Sequence, residues 1–248
     1  MASVTFPALP PIDRRLFIPD DIWVVKNKRW VRLSRHDDPL EWERLVASDD
    51  AITTELKDGT WPASSSSSPG VMARMISALQ LKRGMQVLEI GTGTGWNAAC
   101  LAALGVEVVS VEIDPAIAAR ARTNLRTAGY GDVIVIAGNG EHGAAKHAPY
   151  QRVISTAAVH TIPYAWVEQC TDSGLVVTPY TGEGHKWALL VLTVSAGKAS
   201  GGTQGTASFM PLRGQGLSQI EQDAIECRDD LHVEVTESGQ TISYSQHQ

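Results

Sequence analysis

The segment VLEIGTGTGWNAA, residues 87–99, places three glycines between an apolar stretch typical of a strand and a stretch typical of a helix. Glycine lets the backbone approach a ligand closely. The first turn of a helix also offers unpaired N–H groups with partial positive charge. This turn therefore favours a ligand with an anionic group such as a carboxylate, the structural alternative being a tight strand-to-helix turn.

The spacing of the glycines narrows the choice of ligand. A dinucleotide fingerprint, G-x-G-x-x-G, would need glycine where Trp96 stands, and the G-K-[ST] end of a phosphate-binding loop is missing. The pattern is instead E-x-G-x-G-x-G, which begins at Glu89 and resembles the first motif of Rossmann-like methyltransferases. On that resemblance, the glycines surround the methionine part of S-adenosylmethionine.

A second acidic position follows at the end of the next predicted strand, VVSVEIDP. Glu112 stands about 20 residues beyond the glycine turn, where an acidic side chain can accept hydrogen bonds from ribose hydroxyls. Asp114 is the competing candidate. Because Asp114 directly precedes Pro115, we interpret it as the N-cap of a helix.

Four further segments resemble motifs of the protein-L-isoaspartate O-methyltransferase family, over about residues 60–213. They are SSSSPGVMARM (65–75), AGNGEHG (137–143), RVISTAAVHTIP (152–163) and FMPL (209–212). In that family the serine two residues before the proline lies at the cofactor and at the substrate carboxylate, and it corresponds to Ser67. The resemblance implies an α/β, doubly wound, mostly parallel sheet and S-adenosylmethionine as cofactor.

The resemblance also implies a set of site residues, with Ser67 as the catalytic one. Those expected at the cofactor are Ser67, Glu89, Gly91, Thr92, Gly93, Gly95, Glu112, Ile113, Asn139, Gly140 and Thr156. Those expected at the substrate are Ser66, Ser68, Thr156, Ala157, Ala158, His160 and Met210. No metal-ligand spacing is present, and His160 is equally compatible with an ordinary loop residue.

The chain departs from the family pattern at several positions. The family's aspartate near the adenine is Asn139 here, which carries no charge, and serines replace the Thr and Gln beside the key serine. The all-serine run with an IPDDIWV leader resembles the branch that tailors ribosomally synthesised peptides such as graspetides and lanthipeptides. That branch methylates an aspartate in a macrocyclic peptide, and the ester collapses to an aspartimide. The alternatives are repair of isoaspartyl residues in damaged proteins, and an inactive cofactor-binding homologue that docks a peptide.

The expected chemistry needs no general base. An aspartyl or isoaspartyl carboxylate has a pKa near ~4 and is ionised, hence already nucleophilic, at neutral pH. The main task of the enzyme is to align carboxylate oxygen, methyl and sulfur, and such positioning can contribute about 7–11 kcal/mol. We expect the Ser67 hydroxyl to orient the carboxylate.

The elements that must position these residues alternate between strand and helix from about residue 69 to 213, which predicts parallel βαβ units. Composition alone favours a flexible linker for WPASSSSSPG, residues 61–70, although the family resemblance favours a functional segment there. Glycines and small polar residues predict a loop at Gly197–Gly205, and Ala207–Leu212 is predicted as a strand. The polar end predicts a helix at Ser218–Cys227 and a hairpin in HVEVTESGQTISY.

Three zones follow from this pattern: an N-terminal substrate-side extension over residues 1–60, a methyltransferase core over 61–213 and a tail over 214–248. The tryptophans before the core could grip a peptide, but packing of the extension onto the core is the preferred interpretation.

The net charge of −6 argues against nucleic-acid binding. Three widely spaced cysteines, no signal peptide and no membrane-length apolar run predict a cytoplasmic protein with free thiols and a peptide or protein substrate. The oligomeric state is not readable from the sequence.

Overall fold

The computed structural model describes residues 9–182, 185–215 and 231–244, and the strands of this part of the chain form two sheets. The smaller sheet has the strand order β2-β1-β3-β4, and the larger has the order β13-β12-β11-β10-β9-β8-β5-β6-β7. The strands are β1 Asp21–Lys26, β2 Arg29–Ser34, β3 Ile52–Lys57, β4 Trp61–Ser66, β5 Gln86–Ile90, β6 Glu107–Glu112, β7 Ile134–Ala137, β8 Tyr150–Ser155, β9 Cys170–Gly182, β10 His185–Ser195, β11 Lys198–Thr206, β12 Leu231–Thr236 and β13 Gly239–Tyr244. The helices are α1 Pro39–Val46, α2 Pro69–Ala78, α3 Trp96–Ala103, α4 Pro115–Thr127 and α5 Tyr164–Glu168.

The larger sheet is parallel from β7 to β9 and antiparallel from β9 to β13. Its central strands are apolar on both faces: Leu88 and Val109 belong to one buried cluster, whereas Val87 and Val108 belong to the other. Strand β5 lies between β6 and β8, so the chain reverses its direction of travel across the sheet at this point. Ligands of doubly wound sheets bind beyond the carboxyl ends of the strands at such a reversal.

Three helices begin with the same local signal, a capping side chain followed by proline. Asp38, Ser68 and Asp114 are the N-caps of α1, α2 and α4, and each accepts a hydrogen bond from a backbone N–H of the first turn. Proline at the next position removes an N–H that would have no partner in the helix and presets the helical φ angle. The predicted capping role of Asp114 is therefore confirmed.

The smaller sheet has a hydrophobic core of its own, formed by Ile22, Leu33, Trp42, Val46 and Ile52. Its edge strand β4 pairs with β3 on one side only, and the other side faces the larger sheet. The β3–β4 hairpin crosses the expected boundary between residues 60 and 61. Contacts of Arg120 with Glu55 and of Arg213 with the Ala63 carbonyl connect this hairpin to the larger sheet.

The interpretation of residues 61–70 as a flexible linker is wrong. Residues Trp61–Ser66 form strand β4, and Pro69 begins helix α2. Ser64 and Ser66 are buried, although serine is usually exposed. Composition could not show this, because pairing with β3 and burial against the core depend on distant residues.

Two predictions near the end of the core are also wrong. Gly197–Gly205 is not a loop, since Lys198–Thr206 forms β11 between β10 and β12. A side chain at Gly201 would collide with the Val191 carbonyl of β10, so glycine there permits close strand pairing. Ala207–Leu212 lies outside the named strands and is tied to the core by one isolated bridge between Ala158 and Pro211.

The tail contains the expected hairpin, β12–β13, whereas the helix predicted at Ser218–Cys227 lies outside the described residues. Cys100 and Cys170 are free thiols, and burial raises their pKa values to about 12 and about 11. Within the described ranges, no helix is long and apolar enough to cross a membrane.

Candidate active site

A cavity of about 580 Å³ lies beyond the carboxyl ends of β5 and β6 and is covered by the smaller sheet and by residues 210–213. Its walls come from six parts of the chain that are far apart in sequence. They are Lys57 with Trp61–Ser67, Ile90–Thr94 with Trp96 and Asn97, Val111–Ile113, Gly140, Thr156 with Ala157, and Met210–Arg213. The cavity therefore brings most of the predicted site residues together.

The glycine turn forms the floor of this cavity. Gly91 and Gly93 have φ angles of 90° and 53°, in the left-handed region that favours glycine. A side chain on Gly91 would lie 2.5 Å from the Thr156 hydroxyl oxygen, and one on Gly93 would lie 3.3 Å from the Ser65 carbonyl. Gly95 has a different role, because it packs against Leu125 of α4 and does not line the cavity.

Glu112 lies at the cavity wall with a nearly buried carboxylate. Its Oε2 accepts a hydrogen bond from the N–H of Gly93 at 2.9 Å, and its Oε1 accepts one from the N–H of Asp114 at 3.1 Å. Each oxygen of an ionised carboxylate accepts about two hydrogen bonds. Both oxygens therefore keep the capacity to accept a further hydrogen bond from a ligand hydroxyl.

Glu89 lies behind the glycine turn and not among the cavity-lining residues. It is fully buried, and its carboxylate accepts hydrogen bonds from Asn97 Nδ2 at 2.6 Å and from the Ser110 hydroxyl. Burial raises the pKa of Glu89 to about 7, although these two hydrogen bonds oppose the shift. The geometry gives Glu89 a supporting position beneath the turn.

Two polar atoms in the cavity wall have no hydrogen-bond partner within the described residues. They are the indole Nε1 of Trp96 and the amide Oδ1 of Asn97, on side chains that are only 5% and 8% exposed. A buried polar group without a partner costs roughly 1–3 kcal/mol. Both atoms are themselves buried, so they do not face the cavity directly.

The serine run divides into three roles. Ser64, Ser65, Ser66 and Ser67 line the cavity, whereas Ser68 does not and instead caps α2 by accepting a hydrogen bond from the N–H of Val71. Ser66 is 3% exposed, and its hydroxyl accepts a hydrogen bond from Arg14. The structure therefore places Ser67 at the cavity and Ser68 in the support of the adjacent helix.

Only some of the residues expected on the substrate side line the cavity. Thr156, Ala157 and Met210 line the cavity, but Ala158 is buried in its bridge to Pro211. His160 is not in the wall, and its ring lies near Thr161 and the Gln215 carbonyl.

The turn expected near the adenine contributes one of its two predicted residues to the wall. Gly140 lines the cavity against Ile90, and its carbonyl accepts a hydrogen bond from the indole of Trp166 at 2.8 Å. Asn139 caps the 3-10 helix Gly140–His142, and its amide also donates to Glu141 at 3.0 Å. Asn139 is therefore a neighbour of the site that shapes this turn.

Several residues at the site were not among the predicted site residues. Lys57, Trp96, Asn97 and Arg213 line the cavity, and Arg14 contacts the serine run from behind. Trp96 and Asn97 directly follow the glycine turn and Arg213 follows the recognised FMPL segment, but no motif marked Lys57 or Arg14. In the part of the chain that is described, no group of His, Cys, Asp or Glu could hold a metal ion.

The comparisons with known proteins agree with this geometry. Residues 50–216 match the family model of protein-L-isoaspartate(D-aspartate) O-methyltransferases. The chain belongs to the protein-L-isoaspartate O-methyltransferase family. Over 161 residues it is 37% identical to protein-L-isoaspartate O-methyltransferase 2 of Archaeoglobus fulgidus, which covers 63% of this chain and 73% of that protein.

Solved structures show the same fold. A protein-L-isoaspartate O-methyltransferase superposes with a TM-score of 0.62 at 21% identity, over 82% of this chain and 77% of the other. A beta-aspartate methyltransferase from Plasmodium falciparum, solved with S-adenosyl-L-homocysteine, gives a TM-score of 0.58 at 15% identity, over 68% and 83%. The α/β, Rossmann-like methyltransferase fold is thereby confirmed. Family membership makes the chain an S-adenosylmethionine-dependent carboxyl O-methyltransferase.

Proposed function

We propose that the protein transfers a methyl group from S-adenosylmethionine to the side-chain carboxylate of an L-isoaspartyl residue in a protein or peptide, as in repair of damaged proteins. One observation carries this proposal. Glu112, the glycine turn, Ser67 and Ala157 all line the same cavity. A cofactor and an acceptor can therefore meet in the same enclosed space.

The walls of the cavity fit the cofactor chemically. Glu112 has acceptor capacity for ribose hydroxyls, and the backbone of Gly91 and Gly93 lines the same cavity. When bound, S-adenosylmethionine supplies an electrophilic methyl group on a sulfonium.

The acceptor needs orientation more than activation. An ionised carboxylate oxygen attacks the methyl carbon, the C–S bond breaks, and its electron pair stays on sulfur, so no proton has to move. We assign the alignment of this oxygen to Ser67, with Thr156 and Ala157 as the adjoining wall. Lys57 adds positive charge to the cavity lining, which attracts an anionic acceptor, whereas the charge of Arg213 is paired with Asp114 at 3.6 Å.

A second candidate is the tailoring of a constrained ribosomal peptide, in which an aspartyl ester collapses to an aspartimide. The observation that favours it is the smaller sheet, because β1, β2 and α1 precede residue 50, where the family match begins. Because the smaller sheet forms part of the cavity wall, it can restrict the shape of the substrate that binds. The relatives described above carry the isoaspartate name, however, so the isoaspartyl substrate ranks first.

Mass spectrometry of three reactions tests the proposal. The protein and S-adenosylmethionine are incubated with a short isoaspartyl peptide, with the matched aspartyl peptide, and with a macrocyclic aspartyl precursor peptide from the source's own gene neighbourhood. We expect one added methyl on the isoaspartyl peptide and none on its aspartyl match. Methylation of the macrocycle alone would favour tailoring instead. No ester on any peptide, together with tight S-adenosylhomocysteine binding, would indicate an inactive homologue.

A further inference from the structure

Arg14 is a buried cation that lies outside the residues matched by the family model. It begins the 3-10 helix Arg14–Leu16, and its side chain is only 6% exposed. Burying a guanidinium is costly unless its donors are paired. Desolvation lowers the pKa of Arg14 to about 10, partly offset by the charges of Asp49 and Asp50, so the group is charged at neutral pH.

The hydrogen bonds of Arg14 converge on the serine run. Its Nε donates to the Ser66 hydroxyl at 3.1 Å, and its Nη2 donates to the carbonyls of Ser66 and Ser67 at 3.0 and 2.9 Å. These two carbonyls belong to the peptide groups on either side of the Ser67 Cα. One guanidinium nitrogen therefore holds both peptide planes that set the backbone angles of Ser67 and the direction in which its side chain leaves the backbone.

The guanidinium also connects this segment to two other parts of the chain. At the end of α1 and in the turn after it, Nη1 donates to the carbonyls of Val46 and Ser48, both at 3.4 Å, and Nη2 donates in addition to the carbonyl of Asp50 at 2.9 Å. Its Cζ lies 5.3 Å from the ring centroid of Trp96, which lines the cavity. Arg14 thus contacts both walls of the cavity, the serine run and the start of α3.

The same turn also holds the first turn of helix α2, which follows the serine run. Asp49 accepts a hydrogen bond from the N–H of Gly70, in the first turn of α2, while Ser68 caps that helix. Ser67 is therefore fixed on one side by Arg14 and on the other by a capped helix. The hydrogen bonds of Arg14 described above end on a hydroxyl and on carbonyls, so neutral dipoles rather than a paired carboxylate surround the charge.

We infer that Arg14 is a positioning residue for methyl transfer: it fixes the backbone on both sides of Ser67 and thereby the alignment of the acceptor carboxylate. This inference rests on the proposed function for its kinetic consequence. A misplacement of about 1 Å can cost about 100-fold in rate, so a loosened serine run has a large effect on turnover. The N-terminal segment then belongs to the catalytic machinery and does not merely cover it.

The test compares Arg14→Gln and Arg14→Lys with Arg15→Gln as the matched control. Arg15 is the next residue, its side chain is 53% exposed, and it pairs with Asp13 and Glu43 outside the cavity. For each protein, the concentration of active sites is taken from the stoichiometry of S-adenosylhomocysteine binding by calorimetry. Both kcat and KM are then measured with the isoaspartyl peptide. Hydrogen–deuterium exchange is followed in peptides that cover residues 64–72 and, as an internal reference, residues 115–127.

We expect Arg14→Gln to lower kcat per active site by about 10- to 100-fold and to speed exchange in residues 64–72 but not in 115–127. Arg14→Lys should lie between it and the wild type, because an ammonium has three donors in place of five. Adding Arg14→Gln to Ser67→Ala should cause no further loss, since both changes remove the same alignment.

Three results would overturn the inference: unchanged exchange in residues 64–72, faster exchange with unchanged kcat, or full additivity with Ser67→Ala. If Arg14→Gln fails to fold, Arg14→Lys decides by the same measurements. A wild-type protein that methylates none of the peptides would reject the proposed function, whereas the exchange data would still show whether Arg14 holds the serine run.

Discussion

The Oε2 atom of Glu112 accepts a hydrogen bond of 2.9 Å from the N–H of Gly93, so the acid at the end of β6 is tied to the turn that follows β5. This hydrogen bond links the carboxyl ends of two neighbouring parallel strands, directly at the cavity. The position of a ligand hydroxyl bound by Glu112 would therefore depend on the position of the glycine turn. Cofactor affinity should therefore respond strongly to this one side chain.

Replacing Glu112 with alanine should weaken S-adenosylhomocysteine binding by about 1–3 kcal/mol, the cost of leaving buried partners unpaired. Calorimetric titration measures this change. Glu107→Ala is the control, because Glu107 begins the same strand at its far, exposed end. Equal affinity in the Glu112 variant and the control would show that the ribose is bound elsewhere.

Ser67→Ala should lower kcat on the isoaspartyl peptide at least about 10-fold, with a change in S-adenosylhomocysteine affinity smaller than about threefold, because transition-state alignment is lost while cofactor contacts elsewhere remain. Steady-state kinetics and calorimetry on the same preparation separate the two effects. Ser195→Ala, at the exposed end of β10, serves as the control. Unchanged turnover would remove Ser67 from the catalytic role.

Asn139→Asp restores the family's residue but should be mildly destabilising in this chain. The capping hydrogen bond to the N–H of Glu141 would remain, whereas the amide donor to the Glu141 carboxylate would become a second carboxylate. We expect a loss of about 1 kcal/mol in unfolding free energy at pH 7, recovered in the double variant Asn139→Asp/Glu141→Gln. Denaturant titrations measure both, and a single variant as stable as the wild type would contradict this view of the turn.

Glu89 predicts a pH dependence of stability. Burial raises its pKa to about 7 from an ordinary value of 4.5, so between these pH values the folded protein retains a proton that the unfolded chain has released. Its contribution is therefore full below about pH 4.5 and falls as pH rises towards 7, by an amount on the order of 3 kcal/mol. Glu89→Gln should remove this decline.

The comparison of Glu89→Gln with the wild type isolates this one group from other carboxylates. The amide introduced by this substitution can still accept from Asn97, and the Ser110 hydroxyl can donate instead to Thr92, which lies 2.6 Å away. Urea denaturation between pH 5 and pH 8 gives the difference in unfolding free energy. Parallel curves for the two proteins would mean that Glu89 is ionised throughout this range.

Lys57→Glu should raise KM for the isoaspartyl peptide by about 3- to 10-fold at low salt while leaving S-adenosylhomocysteine affinity near the wild-type value, because an exposed wall cation attracts an anionic acceptor. The difference should shrink at about 0.5 M salt, where surface charges are screened. Lys82→Glu, in the exposed turn before β5, is the charge-matched control. An identical KM for the two variants would exclude electrostatic capture at Lys57.

The sequence predicted best where local chemistry decides the structure. Asp114 before Pro115 specifies a helix start, and the glycines at 91 and 93 specify a turn that no other residue adopts easily. These signals lie within a few residues of the structure they determine. The glycine turn and the acid at the end of β6 were therefore predicted from the sequence.

The missed features depend on contacts between distant residues. Strand β4 looked like a linker because its serines carry little β propensity, and only pairing with β3 and burial against the core make it a strand. Glu89 stands in the recognised motif, but its place behind the turn follows from Asn97 and Ser110. Arg14 lies 53 residues before Ser67, and no local pattern reports a contact over that separation.

The pairing of β3 with both β1 and β4 has a consequence for how the chain can be shortened. A fragment trimmed to residues 50–216 would contain the whole family match but would lack β1, β2 and α1 at one end and β12 and β13 at the other. Strand β3 would then present a bare edge, and Ile52 would lose its packing against Ile22 and Trp42. Exposed strand edges beside apolar surface recruit other chains. The segment that matches the family model is thus expected to aggregate when it is expressed alone, because strands outside it complete both of its sheets.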